Sequence, residues 1–99
     1  MALQEIMKEH QRLVILRLLA EVSGFDLNES ILQDGLNAYG LDISRDSLRT
    51  QLAWLAEQGL ITLQKLGSTQ KAVLTARGED VSQGRAVVPG IKRPRAGEC

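Results

Sequence analysis

The chain has 99 residues, 12 basic and 12 acidic side chains, a formal net charge of zero and only three aromatic residues. That length is one small domain whose core must be aliphatic. Neutral charge with ordinary hydrophobicity excludes a disordered chain and a polycation that coats nucleic acid by net charge.

One cysteine, Cys99, and one histidine, His10, exclude an internal disulfide and a His/Cys metal site. Cys99 reads as an incidental terminal thiol and His10 as an exposed helix residue. No apolar run reaches the roughly 18–20 residues of a membrane span, and the N-terminus lacks a signal peptide's pattern. The expectation is a protein of the cytoplasm, with no membrane contact and no cofactor.

From Leu3 to Val22 no glycine or proline interrupts a helical pattern. The stretch Leu13-Val14-Ile15-Leu16 with Leu18-Leu19-Ala20 is apolar nearly all round, so this first helix is either central to the domain or shared with a second subunit. Ser23-Gly24 ends it. A second helix starts near Asn28, with Asp26 or Asn28 as N-cap and Glu29 in the first turn. Its apolar stripe is Leu27, Ile31, Leu32, Leu36 and Tyr39, and Gly40 closes it.

After the connector Leu41-Asp42-Ile43, Ser44 caps a third helix with Asp46 in its first turn. At about 100° per residue, Leu48, Leu52 and Leu55 share a narrow face. Arg49, Thr50, Ala53 and Glu57 lie opposite, with Trp54 on the flank as core edge or subunit contact. The period then changes. Leu60–Leu66 and Lys71–Leu74 read as two strands around the turn Gly67-Ser68-Thr69, and Thr75 caps a short fourth helix to about Gln83.

From Gly84 the composition shifts. Residues 84–99 hold Arg85, Lys92, Arg93 and Arg95, both prolines and a single acid, Glu98. Without these, residues 1–83 keep 8 basic and 11 acidic side chains. The division expected is a folded domain over 1–83 and a flexible basic tail over 84–99.

Helix, short turn, helix and hairpin is the order of a winged helix-turn-helix: mainly α, with a three-helix core, a β-hairpin wing and a short fourth helix. A helix projecting from such a core fits the major groove. Direct contacts are expected from Ser44, Arg45, Asp46, Arg49, Thr50 and Gln51 on the third helix. Lys65, Ser68, Thr69, Gln70 and Lys71 of the wing, with Lys92, Arg93 and Arg95 of the tail, would meet phosphate. Each set also fits an ordinary solvated surface. No nucleophile with a base, and no glycine-rich phosphate loop, points to an enzyme.

The run Ser44–Ile61 resembles the third helix and first wing strand of bacterial winged-helix regulators, and Leu74-Thr75-Ala76-Arg77-Gly78 resembles their LTxxG segment. With Arg12–Glu21 and Val88–Pro94, the chain resembles small winged-helix proteins of Mu-like transposable phages and prophages, some called ArsR-like. The resemblance implies double-stranded DNA as partner and a regulatory or accessory role; the apolar first helix suits pairing of two copies, and a module this small gains affinity by pairing half-sites. The competing reading is an adaptor that binds a protein during phage assembly or DNA packaging. Metal sensing is not implied, because the third helix has no cysteine.

Overall fold

The structure is a computed structural model and describes residues 2–94. The elements are α1 (Ala2–Glu21), β1 (Asp26–Asn28), α2 (Glu29–Ala38), α3 (Arg45–Glu57), β2 (Ile61–Leu66), β3 (Thr69–Leu74) and α4 (Ala76–Ser82). This is a winged helix: α2 and α3 form the helix-turn-helix, and β2–β3 form the wing.

The helix starts follow from their caps. The side chains of Asn28, Ser44 and Thr75 accept from the backbone N–H groups of Ile31, Ser47 and Gly78 at 2.9, 3.0 and 3.0 Å. Each satisfies a donor that the first turn of a helix leaves without a partner. Ser44→Ala is therefore expected to lower stability by about 1 kcal/mol, read from a urea unfolding midpoint. An unchanged midpoint would show that the cap contributes nothing.

The core is aliphatic, as the composition requires. Leu13, Ile15, Leu16 and Leu19 of α1 are buried with Leu32 and Leu36 of α2, Leu48, Leu52 and Leu55 of α3, and Leu60, Ile61, Ala72 and Val81. Burying one such side chain contributes roughly 1.5–3 kcal/mol, so this cluster carries the fold. Two residues of the expected α2 stripe fall outside it: Ile31 and Tyr39 are 52% and 57% exposed. Ile31 lies about 100° around α2 from buried Leu32, and Tyr39 follows the last helical residue, Ala38.

The sheet differs from the expected lone hairpin. β1 adds a third strand, in the order β1-β3-β2, all antiparallel. Leu27 pairs with Ala72 and Asn28 with Lys71. A three-residue strand shows no alternation to read, and its pairing is decided by β3 rather than by local sequence. Phe25, in the left-handed region at φ 57°, turns the chain from α1 into β1. Its carbonyl accepts from the Leu74 N–H at 2.8 Å.

Residues 84–94 also depart from expectation. They do not project as a free arm. Val88 and Ile91 are buried in the core cluster. The Lys92 N–H donates to the Glu9 carbonyl at 3.3 Å, and Arg12 of α1 donates to the Gly90 carbonyl at 2.8 Å. Two spaced apolar side chains are enough to fasten a proline- and glycine-containing segment against α1. Residues 95–99, with Arg95, Glu98 and Cys99, lie outside the described residues.

Candidate nucleic-acid interface

Three elements meet at one buried carboxylate. Glu29, the first residue of α2, is 0% exposed. Arg49 of α3 donates to it twice, Nε to Oε1 at 2.9 Å and Nη2 to Oε2 at 2.7 Å. This bidentate fork is the strong form of a charged hydrogen bond. Thr69 Oγ1 of β3 donates to Oε2 at 3.1 Å, and Arg45 Nη1 lies 3.5 Å from the same oxygen. The Arg49 hydrogen bonds hold the Glu29 carboxyl down at about 2, against the upward push of burial; Thr69 and the charges of Arg49 and Arg45 add to the lowering. The same bonds raise Arg49 above the ordinary guanidinium value.

Arg45 and Arg49 are therefore not unencumbered readers on an open face. Arg45 also donates to Gln33 Oε1 at 2.9 Å and Ser30 Oγ at 3.0 Å. Arg49 donates to the Ser68 carbonyl of the wing at 3.2 Å. Both remain partly solvent-exposed, at 41% and 47% of their side chains, so each presents charge while being held in place.

The wing supplies the rest of this flank. Lys65, Gly67, Ser68, Thr69 and Gln70 line a polar recess together with Arg49. Lys65 and Ser68 are exposed. Strand β3 begins at Thr69, so the turn is Gly67-Ser68, with Gly67 at φ 67°. Lys71 lies away from the recess and pairs with Asp26 of β1 at 3.2 Å.

The outward face of α3 is not basic. Asp46, Thr50, Ala53 and Glu57 are exposed along it. Thr50 Oγ1 donates to the Asp46 carbonyl at 3.3 Å, and the Ser44 hydroxyl serves as the cap. Gln51, expected at the interface, is buried. It accepts from Arg12 Nε at 2.7 Å and donates to Gln11 Oε1 at 3.2 Å. Its position on α3 lies only 60° from that of Leu48 at 100° per residue, on the core side of the helix. Lys92 and Arg93 line a small recess with Val81, Val88 and Pro94, apart from the wing.

Sequence reasoning missed Glu29, Lys8 and Arg12 as parts of this surface. Arg12 stacks over the Trp54 ring, 4.0 Å from its centroid. Burial lowers its guanidinium below the ordinary value, opposed by the charges of Glu5 and Glu9. For Glu29 and Arg12 no local signal marks the role, because their hydrogen-bond partners lie 20 to 78 residues away; Lys8 pairs with nearby Glu5 and reads as an ordinary exposed helix lysine. Among the described residues every buried side-chain polar atom has a hydrogen-bond partner. No helix among them is long and apolar enough to cross a membrane.

Comparison with known proteins fits this architecture. Protein gp26 of Escherichia phage Mu is 52% identical over 93 residues, which cover 94% of this chain and 96% of the phage protein. A Haemophilus influenzae protein is 56% identical over 66 residues, 67% of this chain and 64% of that protein. Among solved structures, RosR of H. salinarum superposes with a TM-score of 0.63 at 23% identity, covering 74% of this chain and 66% of that one. RosR in the hsRosR-S4 complex gives 0.62 at 23% identity, over 73% and 62%. At that identity the likeness bears on the fold alone. No family model matches the chain. The expected kinship with Mu-like phage proteins is met by the phage relative, whereas nothing among these matches carries the ArsR-like label.

Proposed function

We propose that this chain, which belongs to the family of phage Mu protein gp26, is a non-enzymatic winged-helix protein that binds double-stranded DNA, with α3 in the major groove and the wing on the backbone. One observation carries this reading: Arg49 of α3 and Lys65 of the wing converge on one polar recess, and Arg49 is fixed there by Glu29 and the Ser68 carbonyl. A cation held at a helix–wing joint suits a phosphate. Asp46 and Glu57 on the outward face are not foreign to such a site, since carboxylates accept from the cytosine amino group in the major groove. The role would be regulatory or accessory in the host cytoplasm. Two copies would pair through α1, where Leu3 and Ile6 are 72% and 48% exposed.

The test is fluorescence anisotropy with a labelled mixed-sequence duplex across a salt series. The wild type should bind with a salt-dependent affinity. Lys65→Ala should weaken binding for all sequences alike and reduce the salt slope by about 1. Salt-independent or absent binding overturns the reading.

A second reading, an adaptor that binds a phage protein in assembly or packaging, draws on the same face. Glu29 offsets part of the arginine charge, and Asp46 and Glu57 are exposed on α3. It predicts no binding of duplex DNA at any salt.

A further inference from the structure

A second recess lies on the other side of α3. Its cavity of about 240 Å³ is lined by Lys8 and Arg12 of α1 and by Ser47, Thr50, Gln51 and Trp54 of α3. The Arg12 guanidinium is fixed three ways: its Nε on Gln51, its Nη1 on the Gly90 carbonyl, and its plane over the Trp54 indole. Lys8 is exposed, and its pairing with exposed Glu5 at 3.8 Å is weak and easily exchanged.

Position on the helix explains what this arrangement suits. Ser47 and Arg49 are two residues apart, so at about 100° per residue they are separated by roughly 160° across the exposed side of α3. Asp46, Thr50, Ala53 and Glu57 occupy the arc between them. Crossing the exposed side of α3 therefore passes from cations (Lys65, Arg49), over a face without cations, to cations again (Arg12, Lys8). A major groove about 12 Å wide presents phosphates, then base edges, then phosphates, and a helix of about 10–12 Å fills it from wall to wall.

We propose that the recess between α1 and α3 is a second phosphate-binding surface, which holds the backbone of the DNA strand opposite the one held by the wing. This rests on the DNA-binding reading above and adds a surface that the helix-turn-helix and wing do not include. Lys8 and Arg12 supply positive charge, and the Ser47 hydroxyl can donate to a phosphate oxygen. Trp54 and the buried Gln51 serve as backing that fixes Arg12, so a bound phosphate meets a preset cation and not a mobile one.

The experiment uses the whole chain and a labelled mixed-sequence duplex. Lys8 is exposed at the helix surface, so Lys8→Ala and Lys8→Glu should fold as the wild type does, which circular dichroism checks. Lys8→Ala should weaken binding several-fold at low salt and reduce the salt slope by about 1; Lys8→Glu should weaken it further. Combined with Lys65→Ala, the two losses should multiply, because the sites lie on opposite walls. Trp54 is the chain's one tryptophan, so its emission reports directly on the recess. It should change on titration with unlabelled duplex, at the same midpoint as the anisotropy.

If Lys65→Ala weakens binding while Lys8→Ala, Lys8→Glu and the Trp54 emission show no effect, the second surface is overturned and the wing-side reading stands. If the wild type binds no duplex DNA, both fall together and the recess is left as a surface for an acidic protein segment.

Discussion

Replacing Gly78 with alanine is expected to destabilise the protein by about 2–4 kcal/mol, a drop in melting temperature on the order of 10 °C or more. Gly78 is buried in the first turns of α4. A Cβ there would overlap the Leu60 backbone carbonyl oxygen, come within 2.7 Å of Leu74 Cδ1 and meet the Leu60 carbonyl carbon at 3.0 Å. The obstacle is backbone, which cannot rotate aside as a flexible side chain would. Moving it would disturb the point where β2 begins, because the Leu60 carbonyl also accepts from the Thr75 N–H at 3.1 Å. Thermal melts followed by circular dichroism measure this. A melting temperature within a degree or two of wild type would mean that the α4 backbone at Gly78 has room to move away from Leu60.

Glu29→Gln is the second large effect, and pH exposes it. The substitution keeps shape but removes the charge that Arg49 grips bidentately and that Arg45 approaches. Removing one partner of a fully buried ion pair costs about 3–5 kcal/mol. Here the arginines reach solvent and are not stranded, so a loss of about 1–3 kcal/mol is expected. The folded-state Glu29 value near 2 lies below the ordinary carboxylate value of 4.5. Its contribution is therefore complete above about pH 4.5 and is lost as pH falls toward 2. Wild type should lose stability through that window, and Glu29→Gln should lose less. Chemical denaturation at a series of pH values gives the comparison; equal pH dependence of the two proteins would remove Glu29 as a stabilising charge.

Much of the fold is legible in the sequence for local reasons. The helix caps Asn28, Ser44 and Thr75 each stand just before a helical pattern, and Leu48, Leu52 and Leu55 repeat on one face. The change of period after Gly59 marks the wing. What escapes is settled by contacts distant in sequence. β1 exists because β3 offers it an edge. Val88 and Ile91 look like scattered apolar residues until α1 and α4 are packed beside them. Arg45 and Arg49 look free because the carboxylate that holds them is 16 and 20 residues earlier, where it reads equally well as a first-turn helix acid. Gln51 reads as an interface residue from its amide, although its helical position, about 60° from Leu48, already puts it on the core side, where Gln11 and Arg12 satisfy it.

β1 has a further consequence. Its last residue, Asn28, is also the cap of α2, and Glu29 beside it grips both α3 and β3. A free two-stranded hairpin is marginal in water and must be ordered when it binds. This wing is fastened along β3 by β1, and beside its turn by Glu29 and Arg49, before any ligand arrives. A partner spanning α3 and the wing then meets a surface whose conformational entropy has already been given up in folding, so little of the contact energy is spent on arranging it.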